Sequence, residues 1–136
     1  MTPTPETVGR FLLFKSDEQE RQFRSGRLSP VLIAVLADAA EFALGHLGWA
    51  LKLTEVWRSP GADKKLGGSG VHPAWRAVDI RTRDVAPEKV EALVRHVNDK
   101  WEYGNPLRPL LKVAYHKPHG TGPHIHLQVH PRTRAR

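Results

Sequence analysis

Near the C-terminus, histidines alternate with aliphatic residues in the run His124-Ile125-His126-Leu127-Gln128-Val129-His130. Successive side chains of a strand point to opposite faces. Ile125, Leu127 and Val129 therefore share a core face, and His124, His126, Gln128 and His130 share the other. Two imidazoles at this spacing can serve one ion or one reacting group, although the same pair also arises on an ordinary solvent face. A second stretch, VHPAWRAVDI, brings His72 at the end of a glycine-rich loop and Asp79 inside a strand. A His, an Asp and a second His with a fourth position left to water make an open zinc site of the catalytic kind. Asp79 could instead be a surface carboxylate paired with Arg76 or Arg81. Its setting argues otherwise, because Val78 and Ile80 take one strand face while Asp79 shares the other with Ala77.

Composition narrows the chemistry. The chain has no cysteine, so disulfides and thiolate zinc sites are excluded and any metal must be held by His, Asp or Glu. At 136 residues it is read as a single domain, residues 1–136, with 1–10 and 131–136 loosely held. A net charge of +7 and a pI near 10.1 favour contact with a polyanion. The charge is spread along the chain apart from the tail PRTRAR. No zinc finger, RNA-binding aromatic signature or basic heptad region accompanies it, so no specific nucleic-acid partner is expected. The N-terminus MTPTPETVGR lacks a basic region followed by an apolar run, which predicts synthesis in the cytoplasm without a secretory signal. The longest apolar stretch, around Val31 to Leu47, is broken by Asp38, Glu41 and His46, so no membrane span is expected.

The elements that must position these residues follow from periodicity and caps. SDEQERQFRSG predicts a short helix, capped by Ser16 or Asp17 and ended by Gly26. SPVLIAVLADAAEFALGHLG predicts a long core helix with Ser29 as cap, Pro30 in its first turn and Gly48 at its exit. Its apolar stripe is Leu32, Val35, Leu36, Ala39, Phe42 and Leu47, and His46 is a favourable charge near its C-terminus. WALKLTEVWRS and RAVDIRT read as strands joined by the loop PGADKKLGGSGVHP. APEKVEALVRHVNDKWEYG is a second long helix with Val90, Leu93, Val94, Val97 and Trp101 facing inward and His96 at the surface. LLKVAYH and HIHLQVH complete the chain as an antiparallel hairpin across KPHGTGP. The expected fold is α+β: a small antiparallel sheet of about four strands packed with two long helices, the zinc site on its open face.

The stretch SGVHPAWRAVDI followed by HIH resembles the zinc peptidases of the D-alanyl-D-alanine carboxypeptidase and L-alanyl-D-glutamate endopeptidase family. That family shares its metal site with lysostaphin-type peptidases and the hedgehog signalling domain. His72, Ala77 and Asp79 match its pattern in register, and the resemblance implies that His126 is the third zinc ligand. The Arg of EVWRSP, Arg58, matches a Tyr-Arg-Ser segment whose Arg lies over the substrate. The likeness spans roughly Thr54 to Val129. Three positions depart from it. Trp75 stands where a Gly is expected, Gly70 stands for a Ser with Ser69 displaced by one, and Pro123 occupies the place of an acidic general base.

With Pro123 there, likeness to the lysostaphin type implies that His124 is the base, helped by His116 or His119, with Glu102 a distant candidate. Arg58 would stabilise the oxyanion or bind a substrate carboxylate. The implied cofactor is Zn2+, which lowers the pKa of its water to roughly 7. The implied substrate is a peptide bond beside a D-amino acid in the peptidoglycan stem, cleaved by a monomer. Small size and the lack of a signal resemble phage endolysins, which another protein releases to the wall; a virion-associated or cytosolic bacterial peptidase is equally compatible. HIHLQVH also resembles the histidine-triad nucleotide hydrolases and transferases, in which His126 would be a nucleophile without zinc. That reading leaves His72 and Asp79 unexplained. A third reading is a non-catalytic zinc module that binds the wall.

Overall fold

Alternation by two in the histidine strand and by 3.6 in the two apolar helices requires one sheet face to be covered by helices and the other to be left open. The structure, a computed structural model, describes residues 2–119 and 122–136 and has this layering. Helix α1 (Pro5–Gly9) leads to strand β1 (Leu13–Phe14), then to helices α2 (Asp17–Arg24) and α3 (Pro30–Leu47). Strand β2 (Lys52–Glu55), the short helix α4 (Pro60–Lys65) and strand β3 (Ala77–Arg81) follow. Helix α5 (Pro87–Lys100) runs directly into β4 (Trp101–Glu102), and β5 (Ala114–Lys117), β6 (His124–Gln128) and β7 (Arg134–Ala135) complete the chain.

The architecture is α+β. The main sheet has five strands in the order β1-β2-β3-β6-β5. The expected sheet of about four antiparallel strands is therefore corrected to a mixed one, because β1 pairs parallel to β2 across the α2–α3 connection. A second small sheet pairs β4 with β7. Leu53, Val78, Ile80, Ile125 and Leu127 face the helical layer and are buried with Leu32, Leu36 and Ala39 of α3 and Leu93 and Val97 of α5. Each such aliphatic side chain contributes about 1.5–3 kcal/mol of burial. Helix α3 is long and apolar enough to cross a membrane by length and composition, yet here its apolar stripe lies in this core.

Both termini are built into the fold. Thr4 and Thr7 form a reciprocal cap for α1, and Val8 is buried. At the other end Thr133 donates through Oγ1 to the Tyr103 carbonyl at 2.7 Å. Gly104 makes this close approach possible: it has φ +81°, and a Cβ there would sit 2.5 Å from the Arg132 carbonyl. Residues 1–10 and 131–136 thus carry a helix and a strand rather than loose chain, with Met1 outside the described residues. The glycine-rich loop likewise contains α4, with Ser59 as its cap.

His96, expected at the surface, is half-buried. Its ring stacks on Phe42 with centroids 3.9 Å apart and planes 5° from parallel. Its Nε2 lies 3.0 Å from Asp38 Oδ2, and Asp38 also takes Lys100 and the Trp101 indole N–H. Burial opposes ionisation of Asp38, but the hydrogen bonds from Lys100, Trp101 and His96 outweigh it and hold the carboxyl below its ordinary value. A depressed carboxylate stabilises the fold above its unfolded pKa, and that contribution disappears as pH falls through the folded one. Asp38→Asn is expected to cost about 1–2 kcal/mol at pH 7. Urea unfolding at pH 7 and at pH 2–3 checks this, since the gap between the two proteins should close in acid.

Candidate metal centre

Strand pairing brings the two halves of the centre together. β3 and β6 are antiparallel with Val78 opposite Leu127 and Ile80 opposite Ile125, all four buried on the core face. Asp79 and His126 are therefore directly opposed on the open face, with Ala77–Gln128 and Arg81–His124 on either side. His72 arrives from the loop before β3. That loop is wound by backbone bonds from Ala74 to Gly70, Trp75 to His72 and Arg76 to Val71. His72 Nε2 lies 3.2 Å from Asp79 Oδ1, and His126 Nδ1 lies 3.1 Å from the same oxygen. One ligand atom from each of the three residues falls within 4.8 Å of the others, so the group could hold a metal ion.

The outer ring nitrogens decide what the inner ones offer. His72 Nδ1 faces the Val56 carbonyl at 3.1 Å, and a carbonyl only accepts, so Nδ1 carries the proton. Gln128 Nε2 donates to the Lys112 carbonyl at 3.0 Å, which turns Gln128 Oε1 toward His126 Nε2 at 3.1 Å. His126 Nε2 therefore also carries a proton. In the neutral rings both inner nitrogens then present lone pairs to one carboxylate oxygen. That arrangement repels unless positive charge lies between them, either as added protons or as a cation. Outer acceptors that fix the tautomer and aim the lone pair are what metal-binding histidines require. Burial alone would raise the Asp79 pKa; with protons added to the inner nitrogens, hydrogen bonds from His126 and His72 and the charges of His72 and His124 hold it far below the usual carboxylate range.

Trp75 takes a left-handed backbone, φ +60°, which glycine adopts freely and a bulky residue does not. A glycine at this position would be free of that strain. The strain of about 1–3 kcal/mol is offset by packing. Trp75 stacks on Trp57 at 5.8 Å with Arg27 over its ring, and the Trp57 indole donates to the Pro73 carbonyl at 3.2 Å. Trp57 follows Val56, so this aromatic pair ties the His72 loop to the segment that fixes its tautomer.

His124 stands beside the trio. Its Nδ1 donates to the Gly122 carbonyl at 2.9 Å, leaving a lone pair on Nε2, which is 3.7 Å from Asp79 Oδ2. Arg58 lines the same groove, an opening of about 910 Å3 over the open sheet face. It is anchored there by an ionic contact of its Nε with Asp63 Oδ1 at 3.0 Å, without hydrogen-bond alignment. Asp63 Oδ2 accepts from the Gly70 N–H at 2.9 Å, and its carboxylate fills the space where a Gly68 Cβ would sit.

The remaining histidines separate from the centre. His116 stands opposite Ile125 in the ladder, on the face away from His126, and its Nε2 lies 3.3 Å from Thr82 Oγ1. Burial, with the charges of His124 and His119, lowers its pKa. His119 is exposed at the groove rim. His130 leaves the histidine face because β6 ends at Gln128; its ring lies against Tyr103, and its Nδ1 accepts from the Arg132 N–H. Glu102 pairs with Arg134 in the second sheet and does not line the groove.

Sequence reasoning missed two groups on the open face. Tyr115 stands opposite His126. Glu55 stands opposite Asp79, a half-buried carboxylate whose pKa burial raises against the charges of Arg58 and His72. Strict alternation from the buried Leu53 would turn Glu55 toward the core. A register shift between Leu53 and Glu55 turns it outward instead. No family model matches this chain, and neither a curated protein nor a solved structure does.

Gln128 touches the centre only through His126. Gln128→Ala frees that ring while keeping all three donors, and it should weaken divalent-metal affinity by about 10–100-fold. Competition with a chelating dye, beside an unchanged circular dichroism spectrum, measures the effect.

Proposed function

We propose that the chain is a zinc peptidase that hydrolyses a peptide bond in the stem of peptidoglycan, beside a D-amino acid. The observation that carries the proposal is the convergence of His72, Asp79 and His126 with both imidazole lone pairs aimed inward. Two imidazoles and one carboxylate without thiolate suit zinc, and three protein donors leave a position free. Zinc held there would supply a water acidic enough to attack at neutral pH and a Lewis acid for the scissile carbonyl.

The protein's own groups account for the rest of the chemistry. His124 Nε2 is unprotonated in the neutral ring and lies on the groove side of Asp79, placed to take a proton from the attacking water. The same nitrogen then returns that proton to the departing amine as the C–N bond breaks. Glu55, with a carboxyl raised by burial, is a second acceptor in the same groove. Arg58, fixed by Asp63, offers a permanent cation to the oxyanion or to a substrate carboxylate. His126 aims Nδ1 at the Asp79 carboxylate and Nε2 at Gln128 Oε1, an anionic setting that disfavours the phosphate-attacking nucleophile of a histidine-triad enzyme.

Metal analysis of the purified protein, with mass spectrometry of peptidoglycan digests, tests the proposal. About one zinc per chain is expected. His72→Ala, Asp79→Ala and His126→Ala should each lose metal and activity together. His124→Ala should keep the zinc and lose rate by about 10²–10⁴-fold. Full zinc content with intact muropeptides would instead support a non-catalytic wall-binding module.

A further inference from the structure

One row of the open sheet face is, apart from His124, left unused by this chemistry. In the ladders Arg81 stands opposite His124, and His124 opposite Lys117. Lys52 lies one step beyond the Leu53–Ile80 pair and so falls beside Arg81. The sequence Lys52, Arg81, His124, Lys117 thus crosses four adjacent strands, with neighbours about 4.8 Å apart. It runs parallel to the row of Glu55, Asp79, His126 and Tyr115, one pleat repeat or about 6.8 Å away. Lys15 extends the basic side past the end of β1 and acts on Glu55.

The row is poorly compensated. Among the residues that line the groove, Lys15, Lys52, Arg58, Arg81 and Lys117 stand against the carboxylates Glu55 and Asp79. Arg58 has its own partner in Asp63. Arg81 reaches Asp84 at 3.6 Å, but that carboxylate is almost fully exposed and contributes little. Among the described residues no carboxylate lies within ion-pair distance of Lys52 or Lys117, and Lys117 lies over the Tyr115 ring. Like charges side by side on one sheet face are destabilising. An anionic ligand laid across the row would relieve that repulsion.

We propose that this row is a subsite for a carboxylate-bearing stretch of a peptide, held one pleat repeat from the metal centre; its role in turnover rests on the peptidase reading. The lining favours an acidic peptide over a nucleic acid. A single strand needs aromatic platforms for its bases. Among the described residues that line the groove, Tyr115 is the one Phe, Tyr or Trp, and it lies under Lys117, while Trp57 and Trp75 stack on each other and Trp101 bonds Asp38.

The test is fluorescence anisotropy at about 50 mM salt, where surface charge is weakly screened. Fluorescein-labelled hexaglutamate, hexaglutamine and hexathymidylate are titrated with the full chain. Hexaglutamate should bind, hexaglutamine should not, and Lys52→Ala/Lys117→Ala should weaken hexaglutamate by about tenfold or more. The matched control is Lys89→Ala/Arg95→Ala on α5, where Arg95 is exposed, Lys89 is half-buried and neither lines the groove, with the same loss of charge, and it should stay within about twofold of the parent. Equal loss in both double variants, no binding of hexaglutamate, or tighter binding of hexathymidylate would each overturn the proposal. Binding needs no turnover, so an inert protein that still passes this test would remove the peptidase reading and leave the subsite standing.

Discussion

Two imidazole lone pairs pointing at one carboxylate oxygen are the constraint around which the molecule is organised. Left alone they repel, and a buried repulsion of this kind is costly in a medium of low dielectric. Each neighbour of the trio helps to hold it in place. The Val56 carbonyl and the Gln128 amide fix the protons on the far sides of the rings. Lys112 in turn fixes Gln128. The helical layer contributes indirectly: by burying Val78, Ile80, Ile125 and Leu127 it sets the ladder register that opposes Asp79 and His126. A slip of one residue would exchange the two faces and place the donors in the core.

The division of labour between the two sheet faces explains how a chain of this size carries such a centre. Stability comes from the aliphatic side, where α3 and α5 cover the sheet, and from both termini pinned at its margins. The other side is polar almost throughout and left open. A half-buried cluster around Asp38 ties α3 to α5 and β4 at a distance from the groove. The strained backbone of Trp75 is the exception, since it lies within the loop that delivers His72.

Much of this was legible in the sequence, and the gaps have physical causes. The histidine strand and the two long helices follow from periodicity, because burial on one face imposes it. His72 and Asp79 could be named as candidates from ligand type and strand parity, whereas the choice of His126 among the histidines of its face came from the likeness to the zinc peptidase pattern. Alternation assigns His130 to the same face as His126, wrongly, since it carries no signal for where a strand stops. Lone residues such as Asp63 gave no hint either: its importance arises from Gly68 and Gly70 closing over it. The parallel strand β1 and the pair β4–β7 are two residues each, too short for any periodic pattern. Trp75 gives no sign in the sequence of its left-handed backbone; only the dihedral angle shows it.

The register shift in β2 carries a consequence for how this groove can diversify. The same irregularity turns Glu55 outward and comes just before Val56, whose carbonyl orients His72. A shortening of that strand by one amino acid would therefore withdraw an acid and a ligand's anchor in a single event. Changes of side chain remain open to such a lineage, but changes of length at this point do not.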